Sequence, residues 1–162
     1  ECQTAAAPLK DVQGSLTLSP VPYEDRVTLI TTFEAGPVLD PLGTGVSVQF
    51  HDDFTSLGCI RIPSWVEAQR GWTAKKFSTS ILWRFKDTKD GAFGAPSVDN
   101  LTLQCDTRKQ TCALKADIQD TNIEGKGKSR PITTWVTLGK ESWGKTQQWS
   151  AQGGGKQLVT KP

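Results

Sequence analysis

The chain contains a single histidine, His51, which is followed directly by two carboxylates, Asp52 and Asp53. A Ser-His-Asp nucleophilic site would need this histidine as its general base. His51 ends a run in which Val48 and Phe50 alternate with polar residues, so its side chain is expected to face solvent. No G-x-S-x-G turn is present to hold a nucleophilic serine. We therefore predict no catalytic residue and regard His51 as an exposed loop histidine.

Four carboxylates lie near predicted turns and are the candidates for a glycoside-hydrolysing pair: Glu34, Asp40, Asp52 and Asp53. Such a pair needs a defined separation in space, which spacing along the chain does not supply. Aspartate is common in turns for reasons of backbone hydrogen bonding alone. A secreted hydrolase is accordingly the third-ranked function, and the chain is predicted not to be an enzyme.

Two loops carry acidic residues that could coordinate a cation. Asp87-Thr88-Lys89-Asp90-Gly91 has two carboxylates and a glycine, but Lys89 stands between them. Asp120 and Glu124 flank a second loop that also has lysines nearby. A calcium loop of the EF type needs more oxygen ligands than either offers. The cysteines include no C-x-x-C pair, so zinc is not indicated either, and no cofactor is expected.

Six tryptophans are many for this length, and three of them are candidates for a contact surface. Trp135 alternates with the apolar residues of its strand and shares a face with Thr133 and Thr137. Trp143 and Trp149 lie in a C-terminal stretch rich in Gly, Lys and Gln. An exposed indole can stack on a sugar ring. The alternative is that these three rings cover sheet edges or a subunit contact.

The spacing of Cys105 and Cys112 predicts a disulfide across the end of a β-hairpin. The two cysteines bracket a fully polar loop, residues 106–111. Folding the chain at this loop places Cys105 opposite Cys112, Leu103 opposite Leu114 and Leu101 opposite Ala116. All six side chains then share one face, as the two-residue period of a strand requires.

Cys2 and Cys59 are left to pair with each other, within one chain or between two. Two disulfides indicate an oxidising compartment, so the expected location is extracellular, at the cell surface or periplasmic. The alternative is four free buried thiols in a cytosolic protein.

Alternating apolar residues dominate the rest of the chain and predict an all-β fold, an antiparallel β-sandwich of about eight or nine strands. At most one short helix is expected, near 64–70, where Ser64 and Glu67 have the spacing of a capping box. The predicted core residues are Val46, Val48, Phe50, Ile81, Trp83, Phe85, Leu101, Leu103 and Leu114.

A chain of 162 residues fits a single domain, 1–162, with residues 1–20 as an extended arm and 143–162 as a tail. The net charge of +2 does not indicate a nucleic-acid partner. Residues 1–80 carry six Lys or Arg and nine Asp or Glu, whereas 81–162 carry thirteen and eight. No run of about eighteen apolar residues predicts a membrane span. The chain begins at Glu1 with no signal peptide, as expected of a processed or truncated chain.

Several turn and core motifs between Val27 and Leu138 resemble a known domain. They are Leu39-Asp40-Pro41-Leu42-Gly43-Thr44-Gly45-Val46, Ile62-Pro63, Gly71-Trp72 and Trp83-Arg84-Phe85-Lys86-Asp87. This order is similar to a β-domain, often repeated, of secreted and surface proteins of bacteria. The family has no assigned reaction, so the resemblance implies a β fold and an exterior location but no catalytic residues. The paired cysteines depart from the family pattern.

The leading functional expectation is a structural or assembly protein of the cell exterior, a subunit of an oligomer or fibre. In that hypothesis the arm, with Leu16 and Leu18, adds a strand to the sheet of a neighbouring copy. The alternative is a secreted carbohydrate-binding module that uses Trp135, Trp143 or Trp149. The two hypotheses differ in whether residues 1–20 pack on their own chain or on another.

Overall fold

The computed structural model describes residues 7–36, 39–68, 70–87, 97–124 and 127–160. Nearly all of them lie in β-strands or in the turns between strands. The strands are β1 (Ala7–Thr17), β2 (Asp25–Glu34), β3 (Val46–His51), β4 (Ser56–Ile62), β5 (Trp72–Lys76), β6 (Ser80–Asp87), β7 (Ser97–Asp106), β8 (Thr111–Thr121), β9 (Arg130–Leu138), β10 (Glu141–Gln152) and β11 (Gln157–Thr160).

All eleven strands belong to one curled sheet, in the order β4-β3-β9-β10-β11-β1-β2-β8-β7-β6-β5. The pairing is antiparallel except for a short parallel contact between β1 and β10. A flat sheet of this size would be about 48 Å wide, since neighbouring strands lie about 4.8 Å apart. The chain passes from one edge strand to the other between Ile62 and Trp72, a link that reaches at most about 36 Å. The sheet must therefore curl until its two edges approach each other.

The inner face of the curled sheet encloses one hydrophobic core, and every strand contributes side chains to it. The edge strand β5 contributes only its first residue, Trp72. Eight of the nine predicted core side chains are buried there, from Phe50 at 0% exposure to Trp83 at 7%. Ile81 is only partly buried and packs at the margin of the core. Strict alternation of apolar and polar residues explains why these core residues could be predicted. A shift of one residue would have moved the apolar side chains of each strand to the solvent face.

Two details of the predicted architecture are wrong. The structure has eleven strands in a single curled sheet, in place of eight or nine strands in a two-sheet sandwich. It also has two α-helical turns, α1 (Pro41–Thr44) and α2 (Trp65–Ala68), and a 3-10 turn at Gly153–Gly155, where at most one short helix was expected. The second begins at the predicted capping box, in which the Glu67 amide donates to Ser64 Oγ and the Ser64 amide donates to the Glu67 carboxylate.

The predicted arm and tail are strands of the sheet. Within the described part of the arm, β1 is the sixth of eleven strands and pairs with both β2 and β11. Leu16 is fully buried in the chain's own core, and the Leu18 amide donates to the Lys156 carbonyl at 2.8 Å. Most of the tail forms β10 and β11. Leu9, Val12 and Leu16 of β1 all face the core, and a register shift between Leu9 and Asp11 brings Leu9 onto the same face as the other two.

No helix in the described part of the chain is long and apolar enough to cross a membrane.

Candidate functional site

The end of the β7–β8 hairpin has the predicted register. Cys105 faces Cys112, Leu103 faces Leu114 and Leu101 faces Ala116. The sulfur atoms of Cys105 and Cys112 are bonded, which confirms this disulfide. Because the bridge points into the core, it holds the hairpin end from its inner face and leaves the outer face open.

Asp106 shapes the turn that closes this hairpin. Its Oδ1 accepts the backbone amides of Arg108 and Lys109, both at 2.8 Å. These two hydrogen bonds lower the pKa of the Asp106 carboxyl, and the bond from Lys109 has the larger effect. The cationic side chains of Arg108 and Lys109 lower this pKa further. The carboxylate is therefore charged at neutral pH, and its Oδ2 has no hydrogen-bond partner among the described residues.

The β7–β8 turn is tied to the neighbouring turn between β5 and β6. The Thr107 amide donates to the Thr79 carbonyl at 2.9 Å, and the Thr107 hydroxyl donates to the same carbonyl at 3.2 Å. Gln104 Nε2 donates to Ser80 Oγ across the strands at 3.4 Å. Two turns that would otherwise move separately are thereby fixed to each other.

A polar groove of about 350 Å³ lies on the outer face, above this fixed hairpin end. Ala113 forms its floor, because on β8 it stands directly opposite Gln104 on one side and Thr32 on the other. The longer side chains of those neighbours become the walls. The lining offers hydroxyl, amide and carboxylate groups, and no aromatic side chain, from Thr32, Thr79, Ser80, Gln104, Asp106, Thr111, Cys112 and Ala113.

A smaller, mostly apolar cavity of about 160 Å³ lies on the inner side of the same hairpin end. The Cys105–Cys112 bridge, Ile81, Trp83 and Leu39 supply its apolar wall. Its volume is well below the 300 Å³ or more of an ordinary small-molecule pocket, so it has room for a single small apolar group.

Trp135 lies on the outer face of β9, as predicted, and is partly exposed. Its indole stacks on the His51 imidazole with ring centroids 5.6 Å apart and planes 21° apart. The neighbours of Trp135 are Gln49 on β3 and Gly144 on β10. Gln49 is 8% exposed, and its Oε1 accepts no hydrogen bond from any described residue. One face of the indole is thus already occupied by the histidine.

Trp143 and Trp149 do not form a ligand-stacking surface. Trp143 is 3% exposed, packs on Phe33 at 4.4 Å between ring centroids, and donates from Nε1 to the Glu34 carbonyl. Trp149 is fully buried and meets Phe50 edge to face at 5.8 Å. The Gly- and Lys-rich sequence around both rings suggested a surface tail, but β10 turns them into the core.

Three of the four carboxylates considered for catalysis serve turns and ion pairs. Asp52 accepts the Phe54 and Thr55 amides and lies 3.3 Å from Arg130. The Phe54 hydrogen bond is the main cause that lowers the Asp52 pKa. Glu34 pairs with Lys10, and Asp40 caps α1 through the Gly43 amide.

Residues 88–91, part of the first acidic loop considered for calcium, lie outside the described residues. Within the described ranges, no group of three or more His, Cys, Asp or Glu side chains converges to hold a metal ion. Asp120 adopts a left-handed backbone conformation, with φ of 54°, at the end of β8.

Only one cysteine of the second predicted disulfide, Cys59, lies among the described residues. Cys59 is exposed on β4 and takes part in a disulfide. Cys2 lies outside the described residues, so the Cys2–Cys59 pairing stays a prediction.

The polar groove is not predicted by any pattern in the sequence. Its residues come from β2, β6, β7, β8 and the turn before β6, and the outermost two, Thr32 and Ala113, are 81 positions apart in a set that forms no motif. One local signal existed: Ala113 is a small residue at an outward position of a strand whose other outward residues are polar or charged, such as Lys115 and Asp117.

Comparison of the chain with protein families, curated proteins and solved structures gave no match. The resemblance to a repeated bacterial surface β-domain therefore stays a prediction.

Proposed function

We propose that this chain is a secreted carbohydrate-binding module, and that its ligand lies in the polar groove above the β7–β8 hairpin end. The observation that carries the proposal is the lining of that groove. Threonine and serine hydroxyls, the Gln104 amide and the Asp106 carboxylate line a groove with a volume of about 350 Å³. Such groups are complementary to the hydroxyls of a sugar, which both donate and accept hydrogen bonds.

Rigidity supports the same function. The disulfide, the turn held by Asp106 and the Thr107–Thr79 hydrogen bonds fix the groove walls before a ligand arrives. A preformed site loses less conformational entropy on binding than a flexible one. The free Oδ2 of Asp106 is an acceptor for a sugar hydroxyl, and charge-assisted hydrogen bonds of this kind are among the stronger ones.

The assembly hypothesis loses the segments on which it rested, because β1, β10 and β11 are parts of the chain's own sheet. The edge strand β5 also carries Lys75 and Lys76, both exposed. Lysines at a sheet edge are typical of strands that avoid pairing with another copy. A carbohydrate-binding module is therefore favoured over a fibre subunit, and the apparent mass in solution separates the two.

The test is a binding screen of the full chain against neutral and charged polysaccharides, followed by isothermal titration. Ala113→Trp fills the groove floor from the outer face and is expected to abolish binding. Thr17→Trp adds the same bulk to the exposed face of β1 and is the matched control, expected to bind normally.

Gln104→Ala removes one wall of the groove and is expected to weaken binding without affecting folding, since its one side-chain hydrogen bond is long and exposed. Trp135→Ala tests the other candidate surface. If Trp135→Ala abolishes glycan binding while Ala113→Trp leaves it intact, the ligand does not lie in the groove and the proposal fails.

A further inference from the structure

We propose that the polysaccharide held in the groove is acidic, and that Lys75, Arg84 and Lys115 bind its carboxylate or sulfate groups. This inference rests on the proposed function, since it assigns the ligand class of the same groove.

The register of the sheet places these three cations beside the groove. Gln104 and Ala113, which form part of the groove, belong to a cross-strand row that continues through Leu82 to Lys75. The next row across the same four strands runs Thr73, Arg84, Thr102 and Lys115. Arg84 and Lys115 are therefore two strands apart, about 9.6 Å, with only the short Thr102 between them.

The three cations are exposed, and the next outward carboxylate on β8, Asp117, is already paired with Arg26. The ion pairs of this outer face join Arg26 to Asp117 and Asp99, and Lys10 to Glu34. None of the ion pairs among the described residues includes Lys75, Arg84 or Lys115. Lys75, Arg84 and Lys115 therefore lie along one side of the groove as charged groups without an ion pair among the described residues.

The acidic group of the groove sets the orientation of the ligand. Asp106 lies at the far end from Arg84 and Lys115, next to Thr111 in the third cross-strand row. A carboxylate or sulfate on the polymer is repelled by Asp106 and attracted by Arg84 and Lys115. The hydroxyl edge of each sugar then faces Asp106 and Gln104, and its anionic edge faces the two cations.

A polysaccharide fits this surface better than the other common polyanion, a nucleic acid. Single-stranded nucleic acids are held largely by stacking of bases on aromatic side chains. No aromatic side chain among the described residues lines the groove, whose lining combines hydroxyl, amide and carboxylate groups with apolar surface. The net charge of +2 is also small for a protein that must neutralise several phosphates.

The experiment compares polygalacturonate, dextran sulfate, neutral dextran and single-stranded DNA, each titrated into the full chain at low and at moderate salt. The test variant is Arg84→Gln with Lys115→Gln. The control is Lys140→Gln with Lys156→Gln, which removes the same charge from turns outside the groove. Circular dichroism confirms folding of each variant.

We expect the wild type to bind an acidic polysaccharide with an affinity that falls as salt rises. The test variant should lose about tenfold in affinity, since each exposed ion pair contributes only a modest factor. The control should change little. Ala113→Trp should abolish the binding altogether, which ties the charge effect to the groove.

The outcomes separate the two proposals. If neutral dextran binds as well as the acidic polymers and the test variant is unaffected, the groove binds sugar but this inference is overturned. If single-stranded DNA binds tighter than either acidic polysaccharide, the ligand class is wrong. If none of the polysaccharides binds, the proposed function fails together with this inference.

Discussion

Two phenylalanines four residues apart show how differently this sheet treats the same side chain. Phe50 is fully buried, where its ring meets Trp149, whereas Phe54 in the following turn is 93% exposed. Trp149 in turn depends on Gly14, because a β-carbon there would lie 2.9 Å from the indole and 3.0 Å from the Thr28 carbonyl. Core packing at this point therefore requires a glycine on one strand and two aromatic rings on two others.

Replacement of Phe50 by alanine is predicted to lower the free energy of unfolding by roughly 3–5 kcal/mol. The lost ring leaves a cavity in the core, and the surrounding side chains relax into it only partially. The same replacement at Phe54 should stay within about 0.5 kcal/mol. Urea unfolding followed by tryptophan fluorescence measures both. Equal losses at the two positions would contradict the burial assigned to Phe50.

At the scale of the element, the β7–β8 hairpin combines a disulfide on its inner face with a capped turn at its tip. The Asp106 carboxylate is the titrating part of this device, and its pKa lies below the ordinary value of 3.8. A carboxyl whose pKa is lowered by folding stabilises the folded state at pH values above its ordinary pKa. That stabilisation is lost as the pH falls through the folded value.

Asp106→Asn is predicted to remove this pH dependence while keeping the turn, because an asparagine oxygen also accepts the Arg108 and Lys109 amides. The wild type should be the more stable protein at about pH 6, and its advantage should shrink towards about pH 2.5. Urea unfolding at both pH values measures the difference. Other carboxyls, such as Glu67, are common to both proteins, so they cancel. An advantage that is unchanged at low pH would contradict the assignment.

The two disulfides are predicted to differ in how much they stabilise the folded chain. Cys105 and Cys112 are seven residues apart, so their bridge removes less entropy from the unfolded chain than a bridge across a longer loop. A Cys2–Cys59 bridge would close a much longer loop and contribute roughly 4 kcal/mol on the chain-entropy argument. Cys59→Ala should therefore lower stability more than the double change Cys105→Ala, Cys112→Ala.

Peptide mapping without reduction tests the pairing itself. A peptide that links Cys59 to Cys2 of the same chain is expected. A covalent dimer that disappears on reduction would show that this bridge joins two copies, and a Cys59 peptide linked to Cys105 would contradict both pairings.

At the scale of the whole molecule, the central position of β1 decides the effect of truncation. β1 pairs with β2 along most of its length and with β11 at its end. It also presents carbonyls to Lys145 and Gln147 of β10, at 2.6 and 2.9 Å. Removal of residues 1–19 is therefore predicted to abolish cooperative folding, because it divides the sheet into two parts.

Thermal unfolding monitored by circular dichroism measures this effect, with deletion of residues 1–6 as the control, since it leaves β1 intact. A chain without residues 1–19 that still unfolds cooperatively, or that changes only its oligomeric state, would restore the arm hypothesis.

Local pattern determined most of the strands of this protein, the inward position of eight of the nine predicted core residues and the hairpin register at Cys105 and Cys112, but not β10, whose residues were predicted to lie mostly in a tail. Each of these follows from the two-residue period, which neighbouring residues carry. The sequence also determined the capping box at Ser64, since its hydrogen bonds span only three residues. In each case the interacting groups lie in one strand, one hairpin or one turn.

Only the tertiary structure decided that the eleven strands form one curled sheet. Whether consecutive strands continue one sheet or start a second depends on pairings such as β9 with β3 and β11 with β1, which no local pattern encodes. The same pairings turned Trp143 and Trp149 inward and placed β1 at the centre. They also assembled the polar groove from β2, β6, β7 and β8, because a site built across strands exists only once their register is set.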